Sequence, residues 1–154
     1  MGRAKASISV PGRAAEAEAL WYDPQRWPAW IDGFGHVVSL DDTWPHRGAE
    51  LVWQSPPGGR GRVTERVVAY EMRTGQTLEV EDATMTGRQT VKFEPGPEVV
   101  EVTLSLEYRI KDRTPMTPVV DALFVRRAMG DALRRTVTRF SNERKAEIQF
   151  GSDR

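Results

Sequence analysis

A chain of 154 residues, 39% hydrophobic and 29% charged, is long enough for one domain with a sizeable core and too short for two. Its 22 basic and 22 acidic side chains cancel, which removes the general electrostatic attraction on which nucleic-acid binding rests. The absence of cysteine excludes disulfides, zinc–thiolate and iron–sulfur sites and thiol nucleophiles together, and no apolar run approaches the ~20 residues of a membrane-spanning helix. Residues 1–6 are basic but lack the apolar core of a signal or transit peptide, so the expected compartment is the cytoplasm.

The first predicted element is a strand over residues 4–10, with Ile8 and Val10 on one face, ended by Pro11-Gly12. An Ala- and Glu-rich helix fits 14–22. Asp23 closes it, because a residue before proline disfavours the helical region. Pro24 suits the first position of a second short helix reaching Trp30 or Ile31. Beyond Gly33 and Gly35, alternation predicts six antiparallel strands at 37–40, 50–54, 61–69, 77–81, 88–94 and 99–110. In the last of these, Val100, Val102, Leu104, Leu106, Tyr108 and Ile110 share one face, while Glu101, Thr103, Ser105, Glu107 and Arg109 share the other. A final helix is predicted over 117–148, with Thr117 as N-cap and Pro118 at its first position. It would be about 48 Å long, with a stripe of Val119, Leu123, Gly130, Leu133, Val137, Phe140 and Ile148. A stripe of that length needs an apolar surface to match, and a curved antiparallel sheet supplies one. The class is therefore α+β.

Two stretches resemble a known family. Asp23-Pro24-Gln25-Arg26-Trp27-Pro28-Ala29-Trp30, between an Ala-rich helix and a Gly-flanked strand, is similar to the signature of the START/Bet v 1-like (SRPBCC) superfamily. Leu123-Phe124-Val125-Arg126-Arg127-Ala128-Met129-Gly130-Asp131-Ala132-Leu133-Arg134-Arg135 resembles the last helix of its bacterial polyketide cyclase/dehydrase-like branch. The resemblance covers about residues 6–148 and implies a single helix-grip domain. In that fold a seven-stranded curved antiparallel sheet wraps a long C-terminal helix, two short helices lie between strands 1 and 2, and an apolar cavity separates sheet and helix. Superfamily members include lipid carriers, hormone receptors and aromatase/cyclases, so the resemblance carries over a cavity and no particular reaction.

Candidate cavity residues follow from strand phase. Trp53 shares a face with Leu51 and is the better ligand contact among the tryptophans, since Trp27 and Trp30 read as anchors of the small helices. Phe93, Tyr108 and Phe140 are further apolar contacts. Glu65 lies between Val63 and Val67 on the expected inward face, where a carboxyl is costly unless paired and could orient a ligand hydroxyl or act as an acid/base. A bulge or one-residue slip would turn it to solvent instead. Gln89, in phase with Val91 and Phe93, is a second inward polar group. His36 and His46 read as surface residues far apart, which provides neither a triad nor a metal site, and no cofactor is implied. Asp41-Asp42 and the run 79–82, which ends at Asp82, read as solvated acids. The Ser55-Pro56-Pro57-Gly58-Gly59-Arg60-Gly61 loop lacks the ending of a phosphate loop and reads as a hairpin turn that could flank a cavity mouth. Most of the basic residues of the last helix read as its solvated face, with Arg126 or Arg127 as weaker candidates for a ligand carboxylate or transient contact with an anionic membrane.

The expected function is binding or transport of an apolar small molecule, a lipid, isoprenoid or polyketide. The alternatives are a polyketide aromatase/cyclase, for which Glu65 is the one weak catalytic candidate, and a regulatory module that contacts a protein partner. Ligand identity and oligomeric state are not legible in the residues.

Overall fold

The elements follow in the order β1 (Gly2–Pro11), α1 (Ala14–Trp21), α2 (Trp27–Trp30), β2 (His36–Leu40), β3 (Glu50–Gln54), β4 (Arg62–Glu71), β5 (Gly75–Glu81), β6 (Met85–Pro95), β7 (Val99–Ile110) and α3 (Val119–Ser152). This computed structural model describes residues 1–111 and 119–152, with side chains over 1–111 and 124–150. The expected N-cap Thr117 and Pro118 lie outside the described residues, as do the side chains of Val119 and Leu123 from the expected stripe. The strands form one antiparallel sheet in the order β1-β7-β6-β5-β4-β3-β2, and with α3 laid against it this is the helix-grip arrangement expected.

Boundaries shift where local chemistry competes with periodicity. The second helix begins at Trp27 rather than Pro24. The Asp23 carboxylate accepts from the Gln25 N–H at 3.0 Å and the Asp23 carbonyl from the Arg26 N–H at 3.1 Å, so residues 23–26 close a turn before the helix can start. Strand β6 starts three residues earlier than expected, at Met85, because Asp82 folds the preceding turn back on itself.

The two faces of the sheet are chemically distinct. Outward, the register sets Glu50 opposite Arg66, Arg66 opposite Glu79, Glu79 opposite Arg88, Arg88 opposite Glu107, and Glu107 opposite Arg3. This row of alternating charge crosses six strands, and it closes ion pairs at Arg88–Glu79 (3.5 Å) and Arg3–Glu107 (3.7 Å). Each exposed pair contributes only ~0.2–1 kcal/mol, but a strand that slipped by one residue would turn its charge into the core. Inward, Leu51, Trp53, Val63, Val67, Leu78, Val80, Val91, Phe93 and the even positions of β7 from Val100 to Tyr108 are buried.

Helix α3 packs chiefly against β1 and α2. Its buried seam runs through Leu133, Val137, Phe140 and Arg144, spaced four, three and four residues apart. Continued by three, that seam reaches Glu147 rather than Ile148, so Ile148 is exposed and leaves the expected stripe. Arg144 ties the helices together: Nη2 donates to Glu16 Oε2 at 2.8 Å and Nη1 to Glu147 Oε2 at 3.0 Å. Arg26 extends the network to Glu147 (2.9 Å) and Glu143 (3.1 Å). Gly12 is required beside it, since its φ is +103° and a Cβ there would lie 2.7 Å from Arg144 Nη2.

Candidate functional site

Because α3 covers the β1 side, the inner face of β3–β6 is left facing α2, the loop after it and the middle of α3. A cavity of about 690 Å³ lies there. All five tryptophans of the chain line it, with Leu51, Leu78, Val80, Met85, Leu104 and Leu106 from the sheet and Ala128, Met129, Ala132 and Leu133 from α3.

The small helices are built around this cavity. Trp27 Nε1 donates to the Trp21 carbonyl at 2.8 Å and Trp44 Nε1 to the Tyr22 carbonyl at 3.0 Å, which satisfies each indole N–H locally and leaves the rings to pack. Trp21 stacks at 4.5 Å on Trp30, and both meet Phe140 edge-on at 5.0 and 5.1 Å. Trp27 and Trp30 are thus core anchors, as expected, and cavity wall as well.

One corner of this apolar space is polar. Glu65 sits between Leu51 and Val80 in the cross-strand register, is only 8% exposed, and accepts from Trp53 Nε1 at 3.3 Å. No slip turns it outward. Burial pushes its carboxyl above the usual range, and the Trp53 N–H and the Arg60 charge offset that only in part. Arg60, from the loop between β3 and β4, lays its guanidinium 5.5 Å from the centroid of Trp53 and donates from Nε to Asp82 Oδ2 at 2.8 Å. Phe34 covers Trp53 as well, at 5.2 Å.

Asp82 corrects the expectation of a solvated acid: its side chain is 1% exposed. Its Oδ1 accepts from the Thr84 N–H (2.8 Å), the Thr84 hydroxyl (2.9 Å) and the Met85 N–H (2.9 Å). Burial pushes its carboxyl up, but the hydrogen bonds from Thr84 and Arg60 outweigh it and hold it below the usual range. The signal lay in the phase, since Leu78, Val80 and Asp82 continue one period-two series. The loop after α2 forms the rim through Asp32, Gly33 and Phe34. Asp32 accepts from Arg135 at 3.0 and 3.1 Å and from Arg139 at 3.2 Å, while its own N–H donates to Thr136 Oγ1 at 3.1 Å. Sequence reasoning missed this latch because its partners lie 103 or more residues apart.

Of the expected site residues, Trp53, Glu65 and Gln89 come together on the cavity, and Arg60 brings the expected mouth loop with it. Phe93 and Phe140 lie behind the wall, packed on Trp21 at 6.2 and 5.0 Å. Tyr108 is buried against Gly2 of the neighbouring strand, where any Cβ would collide with its ring, and it does not line the cavity. Strand phase gives the inward face but not the part of it that the helices cover. Arg126, Arg127, His36 and His46 are exposed, and among the described residues no cluster of His, Asp and Glu could hold a metal ion. None of the described helices is long and apolar enough to cross a membrane.

Comparison with known proteins converges on this architecture. The sequence model of the family described as polyketide cyclase/dehydrase and lipid transport matches residues 1–143. No curated protein matches the sequence. A START superfamily protein from Mycobacterium smegmatis superposes with a TM-score of 0.74 at 11% identity, covering 95% of this chain and 99% of that one. TTHA0849 from Thermus thermophilus gives 0.70 at 15% identity, covering 94% and 98%. DynU16, from the dynemicin biosynthetic locus, gives 0.63 at 17% identity over 92% of this chain and 46% of its own, so this chain spans about half its length. At such identities the structural likeness speaks for the fold alone. With the family model matched over residues 1–143, the chain belongs to the polyketide cyclase/dehydrase and lipid transport family, and its fold is the one seen in the START superfamily protein.

Proposed function

We propose that the protein binds and carries an apolar small molecule, of the lipid, isoprenoid or polyketide kind, in the cavity between its sheet and α3. The observation that carries this reading is a cavity of about 690 Å³ whose walls are chiefly aromatic and aliphatic and whose charged groups among the described residues are confined to the Glu65 corner and the Asp32 rim, the composition of small-molecule sites of ~300–1,000 Å³. Burial of apolar ligand surface would supply most of the affinity, at ~25 cal/mol per Å² before the costs of association. Trp53, Glu65 and Gln89 are the contacts assigned to the ligand; Phe93 and Phe140 stiffen the wall behind them.

A second reading, an aromatase/cyclase-type enzyme, draws on two carboxyls in one cavity with Glu65 shifted up and Asp82 down, the pattern of an acid and base pair. Binding is favoured over turnover because Asp82 already accepts four hydrogen bonds and has no free role in moving a ligand's proton. The regulatory reading has less support, since the exposed Phe124 and Phe150 stand about 39 Å apart along α3 and make no single patch.

Filling the cavity from α3 tests the proposal. Titration with the neutral dye N-phenyl-1-naphthylamine should saturate the wild type, and Ala132→Phe should weaken the dye by at least about tenfold with a thermal midpoint within a few degrees of wild type. Ala128→Trp, from an exposed position on the same wall, serves if Ala132→Phe unfolds. Dye affinity unchanged in folded variants would contradict the proposal.

A further inference from the structure

The charges around the cavity restrict what its occupant can be. Among the described residues, four charged side chains line it: Asp32, Arg60, Glu65 and Asp82. Asp32 is held at the rim by Arg135 and Arg139. Arg60 is the single cation of the lining among the described residues, and its charge is already matched: Nε donates to the buried Asp82, and the guanidinium lies over Trp53. Glu65 has one donor, Trp53 Nε1, and aliphatic neighbours on both flanking strands.

Taking the cavity as the binding site, we infer that it selects an uncharged ligand whose polar end is an oxygen, an alcohol, ketone or ester, with Glu65 as the polar contact. A carboxylate seated beside Glu65 would be taken out of water next to a second carboxyl, in a corner where Asp82 already balances the Arg60 charge. An ammonium would have to share the corner with the Arg60 guanidinium, 5.5 Å from the ring that carries Glu65's hydrogen bond. An uncharged oxygen incurs neither penalty. Burial pushes the Glu65 carboxyl above the usual range, so the protonated form, whose O–H can donate to a ligand oxygen, persists to higher pH than in an exposed glutamate, and Gln89 on β6 adds an amide on the same face. Asp82 is then the residue that sets specificity: by holding Arg60 it keeps a positive charge from the ligand.

The test uses four probes of one chain length, 1-decanol, decanoate, decylammonium and decane, titrated at pH 7.5 and read by the change in emission of the tryptophans that line the cavity. Decanol should bind at least tenfold tighter than either ion. Because any apolar space prefers an alcohol to an ion, Asp82→Asn is the decisive arm. Asn keeps an acceptor for Thr84 and Met85 and releases the Arg60 charge, so decanoate should tighten about tenfold while decanol stays within about threefold. Should that variant fail to fold, Glu65→Leu takes its place, with decanol weakened about tenfold and decane unchanged. Decanoate or decylammonium binding the wild type as tightly as decanol would overturn the inference and leave the binding reading intact, as would decanoate unmoved in folded Asp82→Asn. Binding of none of the probes, decane included, would remove the binding reading and the inference with it.

Discussion

Glu65 stabilises nothing by being charged. Unfolded, its carboxyl titrates in the ordinary range, whereas in the folded protein burial keeps the proton on to higher pH, with Trp53 and Arg60 opposing weakly. Between those two values the folded state holds more protons than the unfolded one, so stability falls as pH rises through the window. Glu65→Gln removes that titration. Urea unfolding should show the variant and wild type equal near pH 4, with the variant gaining about 1–3 kcal/mol by pH 8; a difference independent of pH would contradict the assignment. Asp82 has the opposite sign: its carboxyl is held low, so its contribution is complete above the ordinary carboxylate range and is lost as pH falls through the lowered value. Two acids of one cavity lining thus act oppositely, because only Asp82 has donors enough to offset its burial. Glu65 was legible as inward because Val63 and Val67 flank it, and Asp82 was not, because its charge outweighed a phase it shared with Leu78 and Val80.

At the scale of elements, α1 and the turn before α2 are joined to α3 through Glu16, Arg144, Glu147, Arg26 and Glu143. Arg144 is the buried hinge of that set, with a side chain only 6% exposed. Arg144→Leu would take their shared buried cation from Glu16 and Glu147, leaving only Arg13 beside the one and Arg26 beside the other, and should cost about 2–3 kcal/mol in chemical denaturation, less than a fully buried pair because both carboxylates keep some water. A cost under about 0.5 kcal/mol would show that the helices are held by their aromatic contacts alone. Strands β3 and β7 match their expected bounds to the residue, since alternation there runs uninterrupted into turn residues. Helix α2 does not, because the Asp23 carboxylate offers the backbone a turn that competes with helix. From Leu133 to Phe140 the α3 seam was followed correctly, and it was lost at Ile148, where a step of three rather than four reaches Glu147.

For the whole molecule, the order of elements and the existence of a cavity could be read from periodicity and from the resemblance together. The contents of the cavity wall could not. Face assignment places Trp53, Phe93 and Tyr108 equally inward, yet only Trp53 lies where α3 leaves the sheet uncovered. The latch between Asp32 and Arg135 and the clamp between Arg60 and Asp82 join residues that no local pattern relates. The outward row of alternating charge shows the same division of labour from the other side: it keeps one face wet and so commits most of the large apolar side chains of the sheet to the other.

Native mass spectrometry of the gently purified protein, then of the protein incubated with a total lipid extract, tests the cavity most directly. The account predicts a mass above that of the bare chain, near one equivalent of an uncharged apolar compound that organic extraction recovers and that Ala132→Phe excludes. A bare mass under both conditions, or a bound compound retained undiminished by Ala132→Phe, would contradict it.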